Sequence, residues 1–173
     1  MAVQVGQPAP AFTSEALKGM EFTKISLAEY KGKWLVLFFY PLDFTFVCPT
    51  EITAFSDAYD EFTKRKADIL GCSVDSKHSH KAWVKDGLGQ IRFPLLSDLT
   101  HKVSEDYGVL DTNTGHSQRG TFIIDPDGLL RWMVVHDEDV GRSIEETLRV
   151  LDALQTGGKC SVNWRKGDAL LKG

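Results

Sequence analysis

The feature that most constrains the fold of this chain is an uninterrupted apolar run over residues 34–40. Lys31-Gly32-Lys33 precedes the run and Pro41 follows it. A short apolar run between turn residues is typical of a strand buried on both faces. Apolar residues then recur at helical spacing over residues 50–66, and a second apolar segment covers residues 67–74. Strand, helix and strand in this order predict a βαβ unit with parallel strands.

The rest of the chain predicts an α/β fold with a mixed sheet flanked by helices. A second, shorter helix is expected over residues 77–85. Residues 121–124 and 129–135 flank the turn sequence Asp125-Pro126-Asp127-Gly128, which predicts an antiparallel hairpin. A final amphipathic helix is indicated by apolar residues at helical spacing, namely Ile144, Leu148, Leu151 and Leu154.

The 173 residues suit one domain with a single core, which we place at residues 1–155. Thr156-Gly157-Gly158 breaks the last helical pattern and begins a C-terminal arm, residues 156–173, within the same structural unit. The arm has few apolar residues. We therefore expect it to be mobile or ordered by a partner.

Charge and hydropathy limit the partners of the chain. The net charge of −4 gives no reason to expect nucleic acid or an anionic membrane surface as a partner. Residues 1–8 lack the basic and apolar regions of a secretory signal, and no apolar run approaches the length of a membrane span. We expect a cytoplasmic protein.

Three cysteines, Cys48, Cys72 and Cys160, direct attention to thiol chemistry. An odd number without a Cys-x-x-Cys pair argues against a disulfide framework and a zinc site. Cys72 lies in an apolar strand segment and is expected to be an inert core residue. No metal is expected, because the histidines do not pair with cysteines or carboxylates at ligand spacing. We expect these to be surface or satisfied residues: His78, His80, His101, His116 and His136.

Cys48 lies between the predicted buried strand and the long helix. Pro49 follows it and suits the first turn of a helix. The sulfur is therefore expected at a helix N-terminus, where backbone N–H groups and the helix dipole favour the thiolate, the reactive form of the side chain. The alternative is a small buried residue at a strand–helix corner. The position of Cys48 at a helix start favours a reactive thiol over a small buried core residue.

The residues around Cys48 identify a family resemblance. Pro41, Thr45 and Cys48 have the spacing Pro-x-x-x-Thr-x-x-Cys, and residues 41–51 resemble the active-site signature of the peroxiredoxins. The string is most similar to the typical two-cysteine branch, which includes alkyl hydroperoxide reductase peroxidase subunits. The similarity covers nearly the whole chain, with further matching segments at residues 73–76, 93–98, 106–110 and 119–125.

The resemblance implies a thioredoxin-like fold with the N-terminal and inserted elements of that family. It also implies that Cys48 attacks hydrogen peroxide or an organic hydroperoxide and becomes a sulfenic acid. By the same resemblance, Thr45 supplies a hydroxyl to peroxide and thiolate, and Pro41 shields the sulfur from water. These groups would stabilise the negative charge that spreads along the breaking O–O bond.

Arg119 matches the arginine of the family that donates to thiolate and substrate. Its guanidinium stays charged and offers several donors in a fixed fork. Glu51 and Arg142 match a pair that holds this arginine in place. The alternative is that Arg119 forms only a surface ion pair.

Cys160 is the expected resolving cysteine. Residues 158–164 resemble the resolving region of the family, although Lys159 and Ser161 depart from its usual Val-Cys-Pro; Asn163-Trp164 is retained. The resemblance implies that the sulfenic acid condenses with Cys160 of the partner subunit in a head-to-tail homodimer. It also implies that such dimers can assemble into decamers. The alternative is an unpaired cysteine in the tail.

The expected function is thus a thiol-dependent peroxidase without metal, haem or flavin cofactor. Its reductant would be thioredoxin or a dedicated flavoprotein reductase. A thioredoxin-type thiol–disulfide oxidoreductase is the first alternative, but the missing Cys-x-x-Cys pair argues against it. A chaperone or a peroxide sensor is the second, and it competes only if peroxide turnover is negligible.

Overall fold

A computed structural model describes residues 3–172 and shows one seven-stranded mixed sheet flanked by helices. The strand order is β2-β1-β5-β4-β3-β6-β7. The strands are β1 (Thr13–Lys18), β2 (Glu21–Ser26), β3 (Trp34–Phe39), β4 (Ala67–Ser73), β5 (Leu95–Ser97), β6 (Arg119–Ile124) and β7 (Leu130–His136). The helices are α1 (Cys48–Asp57), α2 (Tyr59–Lys64), α3 (Lys77–Trp83), α4 (Lys102–Asp106) and α5 (Ile144–Gln155).

Strand β3 lies at the centre because both of its faces are apolar. Val36 and Phe38 pack into a core with α1, α2 and α5, and Leu35 and Leu37 pack into a second core on the other face. Successive side chains of a strand point to opposite faces, so a strand between two cores must be apolar at every position. The buried strand predicted for residues 34–40 is confirmed, with Tyr40 just beyond its end.

The βαβ unit is also confirmed, because β3 pairs in parallel with β4 over its whole length. The single helix predicted between them is wrong in one respect, since it divides into α1 and α2 at Ala58. The ψ angle of Ala58 is 2°, outside the helical range. Ile52, Phe55 and Phe62 nevertheless face the same core, which explains why their spacing suggested one helix.

The remaining predicted elements are present with shifted ends. The antiparallel hairpin forms as β6 and β7. The helix predicted over residues 77–85 ends at Trp83 and continues as one wider, π-helical turn over Val84–Leu88. The hairpin of β1 and β2 and a 3₁₀ turn at Leu27–Tyr30 account for the N-terminal alternating segments. No helix within residues 3–172 is long and apolar enough to cross a membrane.

The described part of the C-terminal arm lies on its own chain. Trp164 is only 4% exposed, its Nε1 donates to the carbonyl of Asp168 at 3.1 Å, and Arg149 of α5 donates to the carbonyl of Trp164 at 3.0 Å. Lys159 and Leu171 form an isolated bridge. An arm that is mobile or ordered only by a partner was expected, and the buried indole of Trp164 was not foreseen. The division of the chain at residue 156 stays a prediction.

Candidate active site

Cys48 is the first residue of α1 and its side chain is fully buried. A loop over residues 40–47 leads to it from the carboxyl end of β3, and Pro49 lies in the first helical turn, as predicted. Backbone N–H groups at a helix start lack carbonyl partners within the helix, so they stabilise negative charge nearby. The structure thus places the sulfur where a thiolate is favoured.

Arg119 approaches this sulfur from the neighbouring strand β6. Its Nη1 lies 3.4 Å from Cys48 Sγ and donates to Glu51 Oε2 at 2.8 Å. Its Nε donates to the backbone carbonyl of Glu138 at 2.7 Å. Contacts on two sides hold the planar guanidinium with one nitrogen directed at the sulfur, so Arg119 does not form the surface ion pair considered above.

Arg142 completes the cluster from the loop before α5. Its backbone N and Nε both donate to Glu51 Oε1 at 3.0 Å. Its Nη2 donates to the carbonyl of Phe39 at 2.6 Å, and its Nη1 donates to the carbonyl of Gly120 at 2.9 Å. The guanidinium therefore ties α1 to the ends of β3 and β6, and every part of it is buried with its donors engaged.

The charges of this cluster leave one positive charge for the sulfur. Arg119 and Arg142 carry two positive charges and Glu51 carries one negative charge. Burial alone raises the pKa of Glu51, but hydrogen bonds and charge from Arg142, together with the charge of Arg119, outweigh it and lower that pKa. Glu51 is thus ionised at neutral pH, and a Cys48 thiolate would make the cluster electrically neutral.

Thr45 and Pro41 lie in the loop before α1, as the resemblance implies. Pro41 is buried and Thr45 is half-buried. The Thr45 hydroxyl donates to the carbonyl of Leu42 at 2.8 Å rather than to the Cys48 sulfur. The oxygen of a hydroxyl has lone pairs left to accept a hydrogen bond. The structure places both residues beside the helix start, and their contact with peroxide stays a prediction.

Cys160 lies in a different part of the chain from the Cys48 cluster. It is half-buried, and its Sγ lies 3.7 Å from the carbonyl of Ala153 and 3.6 Å from Thr156 Oγ1. It borders an open groove of about 800 Å³ that also includes Trp34 and Trp132, and the groove contains no residue of the Cys48 cluster. All three cysteines are free thiols in the structure.

Cys72, His78 and His80 occupy the kinds of site predicted for them. The prediction is wrong for His116 and His136, because the Nδ1 atom of each ring is buried without a hydrogen bond. Cys72 is fully buried in the second core, and burial raises the pKa of its thiol well above the ordinary value, which opposes reactivity. His80 is buried with both ring nitrogens near acceptors, and His78 is exposed. Within residues 3–172, no group of three or more histidine, cysteine or acidic side chains could hold a metal ion.

Sequence reasoning missed two contributors to the site. It assigned no role to Glu138, yet the backbone carbonyl of Glu138 accepts a hydrogen bond from Arg119 Nε. Any residue at this position would offer the same backbone carbonyl, so the identity of residue 138 could not reveal this contact. Asp43 was likewise not singled out, although it anchors the loop before Cys48 through a buried network.

A buried thiol at a helix N-terminus, facing an arginine on a thioredoxin-like sheet, defines a peroxidase of the peroxiredoxin class. Comparison with known proteins agrees. Residues 5–133 match the model of the AhpC/TSA family, and the chain belongs to that family. It is 50% identical to a thioredoxin peroxidase of Fasciola hepatica, over 94% of this chain and 89% of that protein.

Two solved structures show the same fold. The reduced 2-Cys peroxiredoxin of Plasmodium vivax has a TM-score of 0.94 and 44% identity, over 97% of this chain and 92% of that one. AhpC of Mycobacterium tuberculosis has a TM-score of 0.86 and 42% identity, over 95% of this chain and 100% of that one. The chain is therefore an oxidoreductase that reduces peroxides with thiol chemistry, in a family that uses thioredoxin-type reductants.

Proposed function

We propose that Cys48 is the nucleophile of this peroxidase, activated by Arg119 and by the start of α1. The observation that carries the proposal is the contact of 3.4 Å between Arg119 Nη1 and Cys48 Sγ within a buried cluster that has one unmatched positive charge. A buried positive charge favours the thiolate over the thiol, and the thiolate is the attacking species.

In the proposed reaction, the thiolate attacks one oxygen of the hydroperoxide in line with the O–O bond. The S–O bond forms as the O–O bond breaks, and the attacked oxygen keeps its hydrogen and becomes the sulfenic acid oxygen. The other oxygen leaves as hydroxide or alkoxide and takes up one proton from solvent, which balances the proton that the Cys48 thiol released, to give water or an alcohol. Cys48 becomes a sulfenic acid, so sulfur is oxidised by two electrons and the peroxide is reduced by two. Both hydrogen peroxide and organic hydroperoxides fit this scheme.

The donors around the sulfur would hold the two oxygens. Arg119 can donate to the peroxide as well as to the thiolate, because its guanidinium offers several N–H groups in one plane. Thr45 would exchange its contact with Leu42 for the peroxide, and buried Pro41 would limit access of water. Glu51 and Arg142 would act through Arg119, by holding its position and charge.

Cys160 is proposed to resolve the sulfenic acid. Its thiol would form the S–S bond as water leaves, and a dithiol reductant would then supply two electrons to regenerate both thiols. In the protomer, Cys160 borders a groove without residues of the Cys48 cluster. This placement supports resolution by Cys160 of the partner subunit in a homodimer.

The reductant, the oligomeric state and the cellular location are also part of this proposal. The reductant would be thioredoxin or a dedicated flavoprotein reductase, and dimers can assemble into decamers. We propose a cytoplasmic location, because the cycle needs free thiols and a thiol reductant, both maintained in a reducing compartment.

The test is peroxide consumption with a thioredoxin system for the wild type, Cys48→Ser and Cys160→Ser, with non-reducing gels of each. We expect turnover and a disulfide-linked dimer for the wild type alone. The Cys160→Ser protein should still react once with peroxide, because its nucleophile is intact. Wild-type turnover by Cys160→Ser would show that another thiol resolves the sulfenic acid.

A further inference from the structure

A second buried polar network lies outside the Cys48 cluster and centres on Asp43, in the loop between β3 and α1. Asp43 Oδ1 accepts from the Tyr40 hydroxyl at 2.9 Å. Asp43 Oδ2 accepts from Ser79 Oγ at 2.8 Å and lies 2.8 Å from His80 Nδ1. The side chains of Asp43 and His80 are 1% and 0% exposed, so this carboxylate and imidazole meet without water.

The other ring nitrogen of His80 also faces an acceptor. His80 Nε2 lies 3.0 Å from the backbone carbonyl of Leu96 in β5. A carbonyl oxygen only accepts hydrogen bonds, and so does an ionised carboxylate. A neutral imidazole has one N–H group and cannot donate to both. The two contacts of His80 are therefore satisfied together by an imidazolium that donates from each nitrogen.

The groups around the ring favour this charge. Asp43 faces it from the loop before α1, and Asp75 lies near it at the end of β4, where Asp75 Oδ2 accepts from the backbone N of Asp43 at 2.9 Å. The uncharged Tyr40 and Ser79 hydroxyls complete the surroundings. Asp43 is the carboxylate that contacts the ring, while burial and the charge of Asp43 raise the pKa of Asp75. The network secures Asp43 by both its side chain and its backbone.

The loop that Asp43 anchors includes a strained and largely exposed stretch. Phe44, the next residue, has a φ angle of 57°, which is unfavourable for a phenylalanine. Phe44 is 60% exposed and contacts the core through the ring of Trp83 in α3, at 5.8 Å between ring centroids, and Phe46 is 95% exposed. The buried polar contacts of Asp43 help to hold this conformation.

We propose that His80 is a positioning residue of the peroxidase site, which acts as an imidazolium through Asp43 to hold residues 41–47 in their reactive arrangement. The inference rests on the proposed function, because that loop carries Pro41 and Thr45 and ends at Cys48. His80 touches neither peroxide nor sulfur in this scheme. Its effect falls on the placement of the Thr45 hydroxyl rather than on the Cys48 thiolate, which Arg119 contacts from the other side.

The protonation state is tested directly on the wild-type protein, without a variant at His80. Nitrogen NMR of the reduced protein labelled at histidine is recorded between pH 6 and pH 8, and His80 is assigned by elimination with single substitutions of the other four histidines. We expect both ring nitrogens of His80 to carry protons throughout this range. A neutral ring, which would accept from a protonated Asp43, overturns the proposal.

The positioning role is tested by comparing two reactions of the same thiol. His80→Gln removes the charge, and His78→Gln is the matched control on the exposed side of the same helix. Stopped-flow rates are measured for oxidation by hydrogen peroxide and for alkylation by iodoacetamide. We expect His80→Gln to slow oxidation about tenfold, since a small misplacement of reacting groups has a large effect, and to change alkylation less than about twofold. His78→Gln should match the wild type.

Other outcomes distinguish a failure of the positioning role of His80 from a failure of the proposed nucleophile, Cys48. Oxidation of His80→Gln at the wild-type rate overturns the positioning role, and so does an equal loss in both reactions, which indicates a general disturbance of the site. The wild type and Cys48→Ser are measured beside it. If Cys48→Ser consumed peroxide as the wild type does, the assignment of the nucleophile itself would fail.

Discussion

Cys48 and Cys160 carry the same thiol group in very different surroundings. Cys48 is fully buried at a helix start, and the arginine beside it is held by a glutamate and a backbone carbonyl. Cys160 is half-buried in an arm that contacts α5 mainly through Trp164 and a few hydrogen bonds. The first site is built for charge and geometry. The second leaves its thiol partly accessible, which suits the proposed attack on another sulfur.

The largest effect is expected at Cys48 itself, and the other buried thiol, Cys72, is the control. Cys48→Ser should lower the peroxidase rate by about 10⁴-fold or more, because a hydroxyl replaces the thiolate nucleophile. Cys72→Ala should keep the wild-type rate, since Cys72 only fills the second core. Peroxide consumption with a thioredoxin system is the measurement. Similar losses in both variants would show that burial, and not reactivity, explains the effect at Cys48.

The next largest effect is expected at Arg119. Arg119→Met should slow oxidation of Cys48 by about 10²–10³-fold, the range seen when one preorganised donor to a developing negative charge is removed. The control is Arg92→Met, which breaks an exposed pair with Asp60 and a contact over the ring of Tyr59, both outside the Cys48 cluster. Stopped-flow oxidation gives both rates. An Arg119→Met rate near that of the control would remove Arg119 from the mechanism.

The Glu51 carboxylate should matter for stability as well as for rate. Glu51→Gln removes the carboxylate that pairs with two buried arginines and should lower the free energy of unfolding by about 3–5 kcal/mol. Glu61→Gln, which alters surface pairs with Lys64 and Arg65, is the control and should lower it by less than about 1 kcal/mol. Urea unfolding at pH 7 is the measurement, and equal stabilities of the two variants would contradict the expectation.

The same residue predicts a pH dependence with a definite sign. The pKa of Glu51 is lowered in the folded chain from its ordinary value of 4.5. The stabilisation is therefore fully present above that ordinary value and is lost as the pH falls through the lowered value of the folded state. Unfolding measured from pH 6 downward should show less loss of stability in Glu51→Gln than in the wild type. Parallel curves would argue against an ionised Glu51.

The smallest effect on global stability is expected in the arm. Trp164→Ala should speed hydrogen exchange and proteolysis after residue 156 while changing the free energy of global unfolding by less than about 1 kcal/mol, because the arm can open by itself. Leu151→Ala, in the core face of α5, should lower that free energy by about 2–5 kcal/mol. A global loss in Trp164→Ala as large as in Leu151→Ala would show that the arm and the core unfold as one unit.

Local patterns predicted much of the fold. The apolar run of β3, the parallel strand β4 and the hairpin of β6 and β7 were all predictable, since each pattern reports directly which faces of a strand are buried. The break at Ala58 and the π-helical turn after Trp83 were not, because they change backbone angles without changing the apolar periodicity. The motif residues Cys48, Arg119, Glu51 and Arg142 were named from resemblance, and the structure brings all four together.

Local sequence was enough to predict the central strand, a helix directly after Cys48 and the family signature around that cysteine. These features depend on residues close together in the chain, where spacing and residue type are sufficient. Three contacts became visible only in the folded chain, namely the guanidinium nitrogen that faces the sulfur, the Glu138 carbonyl that accepts from Arg119, and the place of His80 between Asp43 and the carbonyl of Leu96. Such contacts join residues distant in the chain, and their geometry is set by how the strands and loops pack.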